Sequence, residues 1–208
     1  MRLEYALSIG EPRSAMIQAI QSRSTGPSHL TQADVLGALG LVQKYEGVGL
    51  ALMMARYTKD KESHRKAVIG VMAECSKLAP KYVGAIKERG QGMALKAIAA
   101  LAVQHYCRTV DTPGAACHPQ FCHGRGVIRD LELSRLHGKA IDKVCPRCGG
   151  TGLRPIPGTQ IRRAIEPLAG GLTRGQWELG WYPLYLAVLD WCHQQESAAQ
   201  TRYWYTTR

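Results

Sequence analysis

Two cysteine pairs with matching glycine tails constrain this chain more than any other feature. Cys117-His-Pro-Gln-Phe-Cys122 is followed, after 22 intervening residues, by Cys145-Pro-Arg-Cys148. The pairs continue as Cys122-His-Gly-Arg-Gly126 and Cys148-Gly-Gly-Thr-Gly152. A tight pair puts two thiolates on one turn, and two such turns complete a tetrahedral site for zinc. Glycine after the second cysteine lets the chain turn sharply and aim backbone N–H groups at sulfurs that hold negative charge. The expectation is one structural zinc ion on Cys117, Cys122, Cys145 and Cys148, with His118 or His123 as the alternative to one thiolate. Buried free thiols would leave the recurring glycines unexplained. Four thiolates close the coordination sphere, and no His-x-Glu partner lies nearby, which argues against catalytic zinc. Covalent haem needs Cys-x-x-Cys-His, whereas the spacing here is Cys-x4-Cys-His.

The sequence around this insert reads as helices. Of 208 residues, 45% are hydrophobic and 21% charged, enough apolar content for a packed core. Thr31 and Asp34 form a capping-box pattern opening a helix through about Tyr57, weakened by Gly37, Gly40, Gly47 and Gly49. Val68, Val71, Met72, Cys75 and Leu78 share a face, and Pro80 is expected to end or kink that helix. A further helix starts near Leu95 and runs to about Arg108. Thr159 opens a short amphipathic helix with Ile161, Ala164, Ile165 and Leu168 on one side. Thr173 and Gln176 make a second box, and Pro183 suits the first turn of a last helix carrying Leu184, Tyr185, Val188, Leu189 and Cys192. The class is mainly α. Residues 1–30 read as an N-terminal arm outside the core, although Leu3, Tyr5, Leu7 and Ile9 are apolar. Residues 31–116 form a helical body and 117–152 the inserted finger. Residues 153–208 supply a recognition helix and C-terminal helices packing on the body. Cys75, Cys107 and Cys192 fall on helical apolar faces and read as core, so the seven cysteines need no disulfide framework.

The chain has 27 Lys and Arg against 16 Asp and Glu, a formal net charge of +11, which points to a polyanionic partner. No apolar run approaches the ~18 residues that span a bilayer, and the first residues lack a signal peptide's hydrophobic region. The reading is a soluble protein of the cytosol. The helix after the finger leaves Gln160, Arg162, Arg163 and Glu166 on its outer side. Gln and Arg are the side chains that read adenine and guanine edges bidentately in the major groove. Thr159 as N-cap brings backbone N–H groups near phosphate. Gln160 and Arg163, three positions apart, are expected to reach adjacent base pairs, and Arg162, Arg147 and Arg154 to meet backbone phosphates. The remaining finger basics, Arg125, Arg129, Arg135, Lys139 and Lys143, suit a phosphate track or a solvated face equally.

The ordered set of motifs resembles the late-gene antitermination proteins Q of lambda-like bacteriophages over nearly the whole chain. It comprises the MRLE start, KYVGAIKERG at 81–90, HYCRTVDTPGAAC at 105–117, the CHGRG and CGGTG knuckles, and PLYLAVLDWCHQQES at 183–197. The first pair is Cys-x4-Cys where that family leads one to expect Cys-x2-Cys. The resemblance implies a helical body whose helix-turn-helix carries the zinc finger in its turn. It also implies a non-enzymatic factor in the host cytoplasm that binds double-stranded DNA at a late promoter element. Such a factor engages host RNA polymerase at a promoter-proximal pause through the sigma factor and the beta-subunit flap, and carries the enzyme through terminators. The alternative is a zinc-ribbon chaperone or RNA-binding accessory protein. The polar, basic character of 123–147 and the scarcity of aromatics between Tyr106 and Trp177 speak against it.

Overall fold

The computed structural model describes residues 2–10, 32–86 and 88–207. They divide into two compact units, one made of residues 1–107 and 164–208 and the other of residues 108–163. The second unit is wider at both ends than the 117–152 expected for the finger.

The first unit is helical. Its elements are α1 (Leu3–Gly10), α2 (Gln32–Tyr45), α3 (Gly47–Tyr57), α4 (Lys61–Tyr82), α5 (Arg89–Tyr106), α8 (Arg174–Gln176) and α9 (Tyr182–Thr206), with a π-helical turn over Trp177–Trp181 before α9. The short α7 (Gly158–Ile165) begins before the unit boundary and ends after it. The 25-residue α9 is the spine against which α2, α3, α4 and α5 pack. It starts on Pro183 in its first turn, and the Thr173–Gln176 box forms as expected, with Thr173 Oγ1 accepting the Gln176 amide at 3.2 Å.

Several boundaries differ from the sequence reading. Thr31 lies outside the described residues, and the single helix expected through Tyr57 is two. The chain breaks at Glu46, whose φ of −125° and ψ of 42° leave the helical region. The break frees α3 to lie directly on α9: a Cβ at Gly49 would collide with the carbonyl oxygen of Gln195. Helix α4 runs two residues past Pro80, because a proline in the last turn leaves the helix few further bonds to make. Its buried spine is Ser63, Ala67, Val71, Cys75 and Ala79, a strict i, i+4 series, with Val68, Met72 and Leu78 flanking it half-buried. Helix α5 starts earlier than expected because Glu88 and Gln91 form a capping box.

The expectation that the N-terminal arm stays out of the core is corrected for its first residues. Leu3, Ala6 and Leu7 on α1 are buried in one cluster with Val35, Ala38, Val42, Leu50, Met53, Ala199 and Tyr203. The Leu3 amide donates to Gln200 Oε1 at 2.9 Å. Spacing 3, 6, 7 is a helical stripe, and burying two leucines outweighs the cost of ordering one short helix. The side chains of Tyr5 and Ile9, and residues 11–31, lie outside the described residues.

A half-buried ion pair joins α3 to α9. Arg56 Nη1 lies 3.2 Å from Glu196 Oε2, and Tyr57 donates its hydroxyl to Glu196 Oε1 at 3.0 Å. The Arg56 guanidinium also lies over the Tyr106 ring of α5, 5.1 Å from its centroid. Cys75 and Cys192 are buried and Cys107 half-buried, as expected of core residues. Among the described residues, no helix is long and apolar enough to cross a membrane.

Candidate metal centre and nucleic-acid interface

The second unit has almost no apolar core. Its buried centre consists of Cys117, Cys122, Cys145 and Cys148, with Ile128 packed against them. Around it lie a two-stranded antiparallel sheet, β1 (Val127–Arg129) and β2 (Asp142–Val144), and the seven-residue α6 (Leu131–His137) between the strands.

The glycines place the sulfurs by a near-symmetric exchange. The Gly126 carbonyl accepts the Cys145 amide at 2.9 Å, and the Gly152 carbonyl accepts the Cys117 amide at 2.8 Å. Each knuckle's last glycine thus clamps the first cysteine of the other. The backbone repeats as well: φ is 85° and 79° at Gly124 and Gly126, against 92° and 72° at Gly150 and Gly152. These left-handed angles are cheap only for glycine. Space is short too, since a Cβ at Gly126 would meet the carbonyl oxygen of Gly150, and one at Gly152 that of Gly124. The expectation that these glycines have a conformational task is met, and they also permit a close crossing of two backbones.

The four sulfurs lie within 4.8 Å of one another, with Cys122 Sγ and Cys148 Sγ 3.7 Å apart. Thiolates at ~2.3 Å around a tetrahedral ion sit roughly 3.8 Å apart, so the cluster is compatible with a metal site. Burial pushes the Cys122 thiol up, but the Gly126 amide and the neighbouring thiols outweigh it and hold it at about 7. Burial and the Cys122 thiol push Cys117 up to about 11. Neither His118 nor His123 belongs to the cluster: His118 Nδ1 accepts the Gln120 amide at 3.2 Å, and His123 is exposed at φ 51°. The two extra residues of the first pair fit in a turn closed by the Phe121 amide on the His118 carbonyl, 2.9 Å.

The residues singled out for DNA fall into two groups. On α7, Ile161 and Ile165 are buried while Thr159, Gln160 and Arg163 are exposed. Two expectations are corrected here. The helix begins at Gly158, so Thr159 lies in the first turn rather than at the cap, because the Pro157 carbonyl already accepts the Gln160 amide at 3.0 Å. Ala164 is exposed beside Gln160 and Arg163, whereas Arg162 is half-buried with its Nε shielded from solvent. Ile161 and Ile165 lie about 40° apart around the helix, and Ala164 and Arg162 flank them about 60° further out on opposite sides.

The other group lies on the finger. Arg147 and Arg154 are both exposed. The Arg147 guanidinium sits over the Phe121 ring, 4.8 Å from its centroid, a cation–π contact. The Arg154 amide donates to the Ala115 carbonyl at 2.7 Å and its carbonyl accepts Arg108 Nη2 at 2.9 Å, which fixes the chain leaving the second knuckle. The sequence reading missed both Phe121 and Arg108, and only an aromatic between two ligands hinted at the stack. Residues 108–163 hold ten basic against four acidic side chains, so the unit is strongly cationic.

The sequence has clear relatives. Residues 111–200 match the family model for antitermination protein Q. The chain is 34% identical over 201 residues to antitermination protein Q of Salmonella phage P22, covering 96% of each chain. Identity and coverage are the same for antitermination protein Q of Escherichia phage lambda. A prophage antitermination protein Q homolog of Escherichia coli K12 is 24% identical over the full length of both chains. At this identity and coverage, the chain belongs to the antitermination protein Q family.

Proposed function

We propose that this phage transcription antitermination protein works by binding a short element in late-promoter DNA and loading from it onto paused host RNA polymerase. The polymerase then reads through terminators. The observation that carries the reading is the exposed face of α7, where Gln160 and Arg163 project from a helix whose opposite side, Ile161 and Ile165, is buried. Gln and Arg bond bidentately to adenine and guanine, so this face reads base edges. Arg147 and Arg154, exposed on a unit with ten basic residues, hold phosphates and set the register without choosing sequence. Arg162, half-buried, steadies α7 and touches backbone rather than bases.

Zinc is the ion the four thiols suit, since soft thiolates in a closed tetrahedral set are its structural donors. Bound there, the ion supplies the cohesion that this unit's few buried apolar side chains cannot. The chain's own contribution is the crossed clamp of Gly126 and Gly152, which presets the sulfur positions. The action is one of binding, with no reaction catalysed, in the cytoplasm of the host.

Footprinting on the phage's own late promoter, with and without polymerase held at the early pause, tests this reading. A short protected element with free protein, extended when paused polymerase is present, is the expected result. Protection that follows no sequence, or that never depends on polymerase, contradicts it.

A further inference from the structure

Helix α6 is built to present leucines. It has seven residues, none of them buried, and Leu131, Leu133 and Leu136 are 64%, 43% and 77% exposed. A helix this short does not persist alone in water, and here it is held entirely by polar anchors. Asp130 Oδ1 accepts the amides of Glu132 and Leu133, each at 3.1 Å. Ser134 Oγ accepts the Ile141 amide at 3.0 Å and donates to the Ile141 carbonyl at 3.3 Å. Gly138 closes the C-terminus at φ 62°. The leucine side chains take no part in these anchors, and most of the surface of Leu131 and Leu136 is left to solvent.

The charges around α6 define what can cover it. Asp130 is bound to Lys143 at 3.2 Å and Asp142 to Arg129 at 2.9 Å. These pairs neutralise both aspartates of the finger. Arg135, His137 and Lys139 bracket Leu136, and none forms an ion pair among the described residues, leaving Glu132 as the nearest acidic group without one. The surface is thus apolar at its centre and cationic at its rim. A second copy of a chain with net charge +11 opposes it with the wrong sign. A phosphate track gains nothing from leucine.

We infer that α6 is a protein-docking helix whose Leu133 and Leu136 enter an apolar groove edged by carboxylates on the transcribing polymerase, with Arg135 and Lys139 meeting that edge. Leu133 and Leu136 lie three residues apart and so share one helix face, the spacing of helix-in-groove recognition. The inference rests on the proposed action on polymerase, and assigns part of it to a surface separate from the α7 reading face.

The test uses the full chain loaded with zinc. Leu133→Ser/Leu136→Ser and Arg135→Glu/Lys139→Glu variants are compared with the parent for binding to purified host RNA polymerase and, separately, to promoter DNA. Since none of these side chains is buried, both variants should keep the parent's metal content and thermal midpoint. Each should lose polymerase affinity at least tenfold, the leucine variant should keep specific DNA affinity within about twofold, and the parent's polymerase binding should weaken with salt. The inference is overturned if polymerase affinity is unchanged, or if the leucine variant loses DNA affinity in parallel, which would make the leucines a wedge in the duplex. It is equally overturned if the parent floats with anionic vesicles through these leucines, or if the substitutions abolish a dimer of the parent. Terminator read-through separates the two failures. A parent that reads through together with a leucine variant that does so equally removes this inference and leaves the function standing. A parent without read-through or polymerase binding removes both.

Discussion

The carbonyl of Gly126 accepts the amide of Cys145 at 2.9 Å, so the tail of the first knuckle positions the first ligand of the second. Gly152 does the same for Cys117 at 2.8 Å. The four thiols are held by two backbone strands that cross through their glycines, which makes the metal centre sensitive to main-chain geometry as much as to its ligands.

Gly126→Ala and Gly152→Ala should therefore each weaken metal binding strongly with every cysteine intact. The left-handed φ alone is worth about 1–2 kcal/mol against a side chain, and the new Cβ also meets a carbonyl oxygen of the other knuckle. Gly149→Asn should be tolerated, since its φ of 59° matches His123 at 51° and a Cβ there has open space. Chelator competition titrations of the three variants check this, and equal affinities for all three would refute it.

The seven cysteines should separate into two classes by reactivity. Burial pushes the thiols of Cys75 and Cys192 up to about 12 and that of Cys107 to about 11, so all three are protonated at neutral pH. With metal bound, native protein should react slowly with a maleimide. Chelation removes the ion that holds the finger together and should expose its four thiols to the reagent, traced by mass spectrometry to residues 117, 122, 145 and 148. Fast labelling of Cys75 or Cys192 in folded protein would contradict the packing described for the body.

Glu196 gives the body an acid-sensitive bond. Burial pushes its carboxyl up, but His193, Arg56, Tyr57 and Tyr106 together outweigh this and hold its pKa below the ordinary 4.5. A carboxyl lowered by folding stabilises above its unfolded pKa, and that contribution fades as pH falls through the lowered folded value. Glu196→Gln should cost about 1–3 kcal/mol at neutral pH and less at pH 3, where the parent has begun to lose the same interaction. Denaturant midpoints at the two pH values measure the difference.

Much of the centre was legible in the sequence because its determinants are local: two short cysteine pairs and the glycines beside them. The second capping box and the start of α9 on Pro183 were legible for the same reason. Contacts between distant segments were not. Leu3 and Leu7 belong to the core only because Ala199 and Tyr203 lie opposite them, and Arg56 finds Glu196 across 140 residues. The exposure of Ala164 escaped because periodicity over eight residues fixes a helix face only to within about one position. The leucines of α6 had no distinguishing pattern, since nothing in their spacing tells whether a fold will bury them.

On DNA, Arg163→Ala should cost ~1–3 kcal/mol on the specific element and relax preference at one base pair. Arg147→Ala or Arg154→Ala should weaken binding to all duplexes alike and reduce the salt slope by about one. Competition binding against mutated elements at two salt concentrations distinguishes them. If Arg163→Ala lost specific and non-specific DNA equally, α7 would be an electrostatic rail only.

The most direct measurement is terminator read-through in transcription reconstituted from purified host polymerase, a late-promoter template and this chain. Zinc-loaded parent protein should raise read-through only when the DNA element is present. Arg163→Ala, or Cys145→Ser/Cys148→Ser, should abolish the increase at the same protein concentration. Read-through that persists on a template lacking the element, or in the protein lacking both cysteines, would contradict an antitermination factor that loads through a zinc-held DNA-reading unit.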